Sequence, residues 1–183
     1  HIVATVEKGS KNYGAPLKIE HEFGSFNLMS LSAARSMPSF FNQDVDVTPT
    51  NLVNINYIYP SKMASQEFQL SSLAGSKVQW VAGLYGFYNL AKTDPLTLYG
   101  AGLGVANPDY RYARIVTKSV AAYAQATFDL GPLTRLTVGG RYTYDYRHVN
   151  GRDDLPNGPG TIKVVRGSKS WKRPTWRVVG DHH

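Results

Sequence analysis

The chain has 183 residues, of which 42% are hydrophobic, 18% are charged and 12% are aromatic, and its net charge is +7. This aromatic-rich, charge-poor composition excludes intrinsic disorder, and the absence of cysteine excludes a disulfide framework and a thiolate metal site. No run of about 18 apolar residues occurs, which excludes a transmembrane helix but not a membrane-spanning barrel of strands. The basic residues are spread along the chain, which favours solvated charge or a surface that faces phosphates over a nucleic-acid-binding patch.

Alternation of apolar and polar residues with a period of two dominates the chain and predicts an all-β protein. Eight strands are predicted, in chain order, over residues 1–7, 17–23, 26–36, 64–73, 78–91, 114–129, 133–149 and 171–183. The sixth and seventh strands offer roughly 15 residues each, whereas a soluble strand has about 5–6 and a tilted membrane-spanning strand needs about 9–11. Their length favours a membrane barrel.

The predicted connections alternate in length. Short turns are predicted at residues 24–25, 74–77 and 129–132, and long polar loops at about residues 37–63, 92–113 and 150–170. Short turns on one side and long loops on the other are typical of outer-membrane barrels, and a soluble domain seldom contains three long structureless loops. The predicted fold is therefore a segment of an antiparallel up-and-down transmembrane β-barrel, with short periplasmic turns and long extracellular loops.

The alternation also assigns side chains to the two faces of the sheet. The predicted lipid-facing residues are Val120, Phe128, Leu136, Val138, Tyr142, Tyr144 and Trp176. The predicted lumen-facing residues are Arg141, Asp145, Arg147, Arg173 and Arg177. The tyrosines fit an aromatic girdle, with ordinary packing in a soluble sheet as the alternative. For the charged set, ion pairing that holds the wall, with Asp181 included, is favoured over direct contact with a ligand.

Motifs for catalysis and metal binding are absent from the sequence. Residues 181–183 (DHH) cannot readily supply two ligands to one metal, because adjacent residues of a strand point to opposite faces. Residues 100–104 (GAGLG) lack the Lys-Ser/Thr of a phosphate-binding loop. Two acidic pairs fit solvated loop charge better than a cation site: Asp44 with Asp46, and Asp153 with Asp154. No nucleophile elbow or zinc-protease motif occurs. We therefore predict that the chain is not an enzyme and holds no cofactor.

Three strings, met in order along the chain, resemble the barrel of TonB-dependent receptors. They are residues 66–72 (QEFQLSS) with 80–85 (WVAGLY), residues 119–125 (SVAAYAQ) with 136–142 (LTVGGRY), and residues 170–177 (SWKRPTWR). The resemblance covers about residues 17–183 and implies that residues 1–183 are part of a barrel of about 22 strands closed by an internal plug. The plug domain and the C-terminal strands of such a receptor are absent from this sequence.

The resemblance also implies a function and a location. The family imports ferric siderophores or other bulky nutrients across the outer membrane of Gram-negative bacteria, with energy supplied through TonB. The implied partners are outer-membrane lipid and lipopolysaccharide, the TonB complex through the absent parts, and the nutrient ligand; nucleic acid is not expected. Ligand contacts in the family lie largely in plug and loops, so no ligand residue is transferred.

Two alternatives remain open at this stage. Eight strands suffice to close a small outer-membrane barrel with a structural or adhesive role. A soluble β-sandwich binding module would require shorter strands. If the chain is part of a larger barrel, we expect two unpaired sheet edges and an apolar outer face.

Overall fold

The computed structural model describes residues 6–46, 50, 52–103, 108–154 and 162–182, and these residues form one antiparallel sheet. Its ten strands are β1 (Val6–Ser10), β2 (Tyr13–Glu22), β3 (Phe26–Met37), β4 (Ser39–Asp44), β5 (Asn54–Ile58), β6 (Ser61–Ser72), β7 (Val78–Tyr99), β8 (Asp109–Asp129), β9 (Thr134–Asp154) and β10 (Ile162–His182). One turn of 3-10 helix, Ala101–Leu103, follows β7. Within the described ranges, no helix has the length and apolar character to cross a membrane.

The strands form an up-and-down meander in which β6 to β9 each pair with the next strand of the chain, while β3 pairs with β2 and, past β4 and β5, with β6. The spatial order of the main sheet is β2-β3-β6-β7-β8-β9-β10. The shorter strands β1, β4 and β5 extend it at the end opposite the short turns. They join the main sheet where residues 54–57 of β5 pair with residues 96–99 of β7.

Prolines interrupt the sheet at one level. Pro38 separates β3 from β4 and Pro60 precedes β6, while Pro95 lies at the register shift between β7 and β8. Because proline has no N–H to donate to a ladder, it is confined in sheets to edges, strand starts and bulges. The carbonyls remain in use, since the Lys11 N–H donates to Pro38 O at 3.1 Å and the Lys92 N–H to Pro60 O at 3.0 Å. The interrupted strands therefore continue in nearly the same direction.

The four last strands are unusually long. They contain 22, 21, 21 and 21 residues. At about 3.3 Å per residue each extends about 70 Å, roughly twice the length that a tilted membrane-spanning strand of about 9–11 residues needs. If the sheet crosses a bilayer, these strands continue well beyond it.

The sheet is a single layer that has almost no core of its own. In the described part of the chain, Ala121 is the one buried hydrophobic side chain, with 6% of its surface exposed. The accessible surface of the chain is 12501 Å², whereas a folded soluble monomer of 20.2 kDa exposes about 8,800 Å². Strands β2 and β10 each pair on one side only. A single open sheet contradicts the β-sandwich alternative, which requires two packed sheets, and it is not a closed eight-stranded barrel.

The predicted all-β, antiparallel, up-and-down architecture is confirmed, but the number of strands is ten rather than eight. The predicted strand over residues 1–7 overlaps β1 only at residues 6–7, and residues 1–5 lie outside the described ranges. The predicted strand over 17–23 begins earlier, at Tyr13. The two additional strands, β4 and β5, were expected to be loop. All three short turns are confirmed, and Gly75 in the second has the positive φ of 81° that favours glycine.

The predictions of three long loops are wrong for most of the residues that they cover. The predicted loop at 37–63 contains β4 and β5, the one at 92–113 contains the end of β7 and the start of β8, and the one at 150–170 contains the end of β9 and the start of β10. Prolines, glycines and charges in these segments obscure the period-two pattern. Pairing with neighbouring strands nevertheless satisfies their backbone N–H and C=O groups, so the segments extend as strands.

Candidate functional site

The cross-strand register sorts the side chains of β7 to β10 into two faces, because residues directly opposite in an antiparallel pair point to the same face. Val120 lies opposite Tyr144, and Phe128 lies opposite Leu136. Trp176 lies opposite Gly140, which is two residues from both Val138 and Tyr142 on the same strand. All seven residues predicted to face lipid therefore share one face, which we call the apolar face.

The apolar face is broad and exposed. Its most exposed large side chains include Leu84 (62%), Val120 (56%), Trp176 (82%) and Val178 (67%). Four successive cross-strand rows of β7 to β10 contain no charged residue: Val78, Phe128, Leu136, Gly180; Trp80, Ala126, Val138, Val178; Ala82, Ala124, Gly140, Trp176; and Leu84, Ala122, Tyr142, Pro174. Soluble monomers rarely expose contiguous apolar patches larger than a few hundred Å². The exposure of this face is therefore unusual for a soluble monomer.

Polar side chains on the same face of β3 and β6 bond to one another. Ser32 is opposite Gln66, which is in turn opposite Gly86 of β7. The Ser32 hydroxyl donates to the Gln66 amide oxygen, and the Gln66 amide nitrogen donates to Ser30 Oγ at 3.0 Å. Because buried polar groups are costly mainly when they lack a partner, this cluster is compatible with apolar surroundings.

The charged residues predicted to line the lumen share the opposite face, which we call the polar face. Arg141 is opposite Thr175, and Arg173 and Arg177 alternate with Thr175 along β10. Asp145 and Arg147 continue the same face of β9. Together with neighbouring side chains, all of these residues except Arg177 line an open depression of about 610 Å³. Arg177 lines a second depression of about 290 Å³. The structure thus brings Arg141, Asp145, Arg147 and Arg173 together around one depression, whereas Arg177 lies at the other.

The basic members of this set are not neutralised within the described residues. No carboxylate oxygen there lies within 4.0 Å of Arg141, Arg147, Arg173 or Arg177. Instead, the Arg141 guanidinium lies 5.7 Å from the centre of the Tyr85 ring, and its Nε–H donates to Thr143 Oγ1 at 3.1 Å. The ion pairing favoured from the sequence is therefore wrong for these guanidinium groups, and their charge is available to another anion.

A tyrosine bridge, which the sequence analysis did not identify, lies beside this basic surface. The Tyr123 hydroxyl of β8 donates to Glu67 Oε1 of β6 at 2.6 Å and also lies 3.1 Å from Gln69 Oε1. The ring reaches across β7 directly over Gly83, where an added Cβ would be 2.4 Å from Tyr123 Cζ. The glycine in the middle of a predicted strand was the available signal, since such glycines often mark close packing.

A second unpredicted cluster lies on the polar face near the end of the long strands. Asp109 is 7% exposed, and Arg111 Nη2 is 2.9 Å from its Oδ2. Arg111 Nε is also 3.3 Å from Asp153 Oδ1. Burial raises the pKa of the Asp109 carboxyl above its usual value, against the opposing effect of Arg111, and the Asp153 carboxylate adds to the rise. The signal in the sequence was the spacing of Asp109 and Arg111, which are two residues apart and therefore share one face of a strand.

The remaining sequence candidates have structural roles where they are described. Asp153 and Asp154 lie in β9 rather than in a loop, and Asp154 pairs with Arg152 at 2.5 Å. Asp44 is also in a strand, β4. His182 Nδ1 is 3.0 Å from Thr134 Oγ1, while His183 lies outside the described residues. No group of three or more potential metal ligands occurs in the ranges that the structure describes.

The glycine-rich segment after β7 is a closely packed turn. The Gly102 N–H donates to Leu52 O at 2.8 Å, and Gly100 has a φ of 138°. A Cβ added to Gly100 would be 2.2 Å from Leu52 O, so the turn needs glycine for close backbone approach. Gly104 lies outside the described residues.

Comparison with protein families matches residues 6–180 to the TonB dependent receptor-like β-barrel. The chain belongs to this family. The match covers nearly all of the chain and confirms the resemblance noted in the sequence. A comparison with curated protein sequences finds no significant match.

Two solved TonB-dependent receptors have the same fold. The ferric yersiniabactin uptake receptor FyuA from Yersinia pestis matches with a TM-score of 0.75 and 14% identity, over 97% of this chain and 26% of that receptor. The ferric-catecholate import receptor Fiu from E. coli K12, in its open form, matches with a TM-score of 0.72 and 12% identity, over 96% of this chain and 34% of that receptor. The chain therefore spans between a quarter and about a third of the length of these receptors. The family's barrels are outer-membrane proteins, and these relatives are receptors rather than enzymes.

Proposed function

We propose that this chain forms part of the barrel wall of an outer-membrane receptor that imports a ferric siderophore, or another bulky nutrient, with energy supplied through TonB. Residues 1–183 are then one part of the barrel domain, and the plug and further strands belong to other parts of the receptor. The observation that carries the proposal is the family match over residues 6–180. It is supported by a two-faced, single-layer sheet that lacks a core of its own.

The two faces correspond to the two environments of a barrel wall. The four uncharged rows of the apolar face span seven residues of each strand, about 20 Å along the strand at 3.3 Å per residue. Outer-membrane barrels carry an outward apolar band about 25 Å tall that is flanked by aromatic girdles. We infer that the apolar face contacts lipid, with Tyr142, Tyr144 and Tyr146 at its upper boundary.

The polar face then lines the lumen, where its basic side chains favour an anionic cargo. Arg147 and Lys169 lie directly opposite each other, and like charges at that spacing repel unless an anion lies nearby. Arginine offers a planar set of donors that suits carboxylates and similar oxygen anions. A ferric siderophore with net negative charge, or acidic side chains of the plug, would supply that counter-charge.

The partners follow from this placement. The cargo and the plug contact the polar face, the TonB complex acts through parts outside this chain, and outer-membrane lipid, including lipopolysaccharide, surrounds the apolar face. The location is the outer membrane of a Gram-negative bacterium. No catalytic step is assigned to any residue.

The test is nutrient uptake by the receptor that contains this chain. It would be produced in a Gram-negative host that lacks its own siderophore receptors, alongside the same host without functional TonB. We expect radiolabelled iron to accumulate from at least one anionic ferric siderophore only when TonB is present. Double replacement Arg141→Gln/Arg173→Gln should weaken the apparent affinity, whereas the control change Arg135→Gln, in an arginine paired with Asp129 near the short turns, should not. Uptake that is independent of TonB would contradict the proposal.

A further inference from the structure

A row of basic side chains crosses the apolar face just above its tyrosines. Lys92 of β7 is directly opposite Arg114 of β8, and Arg114 is opposite Asn150 of β9, which is in turn opposite Arg166 of β10. We call Lys92, Arg114 and Arg166 the basic row. All three side chains are exposed. Because register fixes these residues opposite one another, they lie at one level of the sheet.

The height of the basic row is set by the rows beneath it. Above the four uncharged rows come Gly86, Val120, Tyr144 and Lys172, then Tyr88, Lys118, Tyr146 and Ser170, and then Leu90, Val116, His148 and Ser168. The basic row follows immediately. Tyrosine is enriched where hydrocarbon gives way to lipid headgroups. The basic row therefore lies at the level of the headgroups, if the apolar face contacts lipid as proposed above.

The row is poor in nearby negative charge. Lys92 Nζ is 3.6 Å from Asp94 Oδ2, but no carboxylate oxygen of the described residues lies within 4.0 Å of Arg114 or Arg166. Two rows and three rows below, Lys118 and Lys172 add further positive charge to the same face. Like charges on neighbouring strands destabilise a sheet. An anion bound between the strands removes this repulsion.

Phosphate is the anion whose geometry fits the row best. A guanidinium group donates two parallel N–H bonds to phosphate oxygens, and the two arginines are separated only by Asn150, whose amide also donates. A phosphate held at this height would be part of a molecule whose acyl chains lie along the apolar rows below. Lys118 and Lys172, in the rows that contain the tyrosines, suit the same lipid. Their aliphatic chains can pack on apolar groups while the ammonium groups reach the headgroups.

We propose that the basic row is a binding site for the phosphate groups of an anionic outer-leaflet glycolipid. The site uses Arg114 and Arg166 as the main phosphate ligands, with Lys92, Lys118 and Lys172 around them. This inference rests on the proposed lipid contact of the apolar face, and it adds a specific, saturable lipid site to what would otherwise be general solvation by the membrane.

The test is lipid binding by the purified receptor in neutral detergent. Diphosphoryl lipid A is titrated against wild type, Arg114→Gln/Arg166→Gln, the single variant Arg114→Gln, and the matched control Arg147→Gln/Lys169→Gln, which removes the same charge from the polar face. Affinity is read by the rise in unfolding temperature and by native mass spectrometry. We expect the Arg114/Arg166 variant to bind at least about tenfold more weakly, since each charge-assisted bond contributes substantially, and the control to bind like wild type.

Four comparisons decide the outcome. Lipid A stripped of both phosphates should bind the wild type far more weakly, and saturating inorganic phosphate should not reproduce the rise in unfolding temperature. Equal affinity of wild type and the Arg114/Arg166 variant, equal loss in the control, or full binding of the stripped lipid would each overturn the site. Inorganic phosphate that stabilises as strongly as lipid A would overturn the assignment to a membrane lipid. Because no step measures uptake, a failure here is separate from a failure of the transport proposal.

Discussion

The Tyr123 hydroxyl donates to Glu67 Oε1 at 2.6 Å and so joins β8 to β6 across the strand between them. The crossing is possible because the residue beneath the ring is Gly83, which is directly opposite Tyr123 in the register. In a single-layer sheet with no second layer to pack against, such bridges are among the few contacts that extend beyond adjacent strands.

Gly83→Ala should destabilise the barrel wall, although alanine is ordinarily better than glycine in a strand. The new Cβ would be 2.4 Å from Tyr123 Cζ, so the ring must lift and lose its bond to Glu67. We expect a cost of about 1–3 kcal/mol, read as a lower unfolding temperature of the receptor in detergent. Gly86→Ala is the matched control, because its nearest atom is Gln66 O at 3.9 Å. It should be neutral or slightly stabilising, and equal loss in both variants would contradict the packing.

Tyr123→Phe should remove the same bond without moving the ring. A hydrogen bond to a charged group contributes about 1.5–3 kcal/mol, so the loss of stability should be of that order. Tyr142→Phe is the control, since Tyr142 is 50% exposed on the apolar face. In the double variant Gly83→Ala/Tyr123→Phe, the total loss of stability should be smaller than the sum of the two single losses, because both changes act on one contact. Strict additivity would show that the bridge and the glycine are independent.

Ala124→Arg should be far more damaging than Gln125→Arg. Ala124 lies on the apolar face in the third uncharged row, between Ala82 and Gly140, so arginine has room but would enter lipid if this face contacts the membrane as proposed. Near the bilayer midplane such a substitution costs about 2–4 kcal/mol. Gln125 lies on the polar face one residue later, and its replacement should cost less than about 1 kcal/mol. Both are read from reversible urea unfolding in lipid vesicles, and similar costs at the two positions would refute the assignment of faces.

The upper end of the sheet should become less stable as pH rises above the usual range of an aspartic acid. Burial raises the pKa of Asp109 in the folded state, so the folded state holds this proton to higher pH than the unfolded state does. Folding is therefore penalised progressively as pH rises through the raised pKa, and protonation at lower pH relieves the penalty. Asp109→Asn should abolish this pH dependence.

Hydrogen exchange of residues 96–99 and 109–113, corrected for its intrinsic pH dependence, measures the effect. The matched control is Asp129→Asn, an exposed carboxylate at the opposite end whose partner is Arg135 at 2.9 Å. Arg111→Gln, unlike Asp109→Asn, should destabilise this end of the sheet by about 1–3 kcal/mol at pH 7. It leaves the carboxylates of Asp109 and Asp153 without their shared cation. Protection that does not depend on pH in the wild type would contradict the role of Asp109.

Alternation in the sequence was sufficient to sort the side chains of β8 and β9 onto two faces near the short turns. Val120, Leu136 and Tyr142 share a face in the structure because the period of two is uninterrupted there. The alternation was insufficient at the other end of the sheet, where Pro38, Pro60 and Pro95 break the pattern although strand pairing continues. Propensity disfavours proline in a strand, but cross-strand pairing of the neighbouring residues outweighs it.

The candidate site was predictable in its composition but not in its pairing. Arg141, Arg147 and Arg173 share one face of the sheet, and assigning them to it requires only parity along each strand. Whether they pair with Asp145 depends on the register between strands and on side-chain direction, neither of which the sequence displays. The bridge between Glu67 and Tyr123 was missed for the same reason, because it skips a strand.

The central claim is that the sheet is a barrel wall with lipid on one face and lumen on the other, and nitroxide scanning of β9 tests it most directly. The chain has no cysteine, so single cysteines can be introduced from Arg135 to Tyr146 in the receptor reconstituted in vesicles and spin-labelled. We predict that collision with oxygen, which concentrates in lipid, peaks at Leu136, Val138, Gly140 and Tyr142, while collision with a water-soluble nickel complex peaks at the alternate positions. Collision profiles without a period of two, or with water access at the even-numbered positions, would contradict the claim.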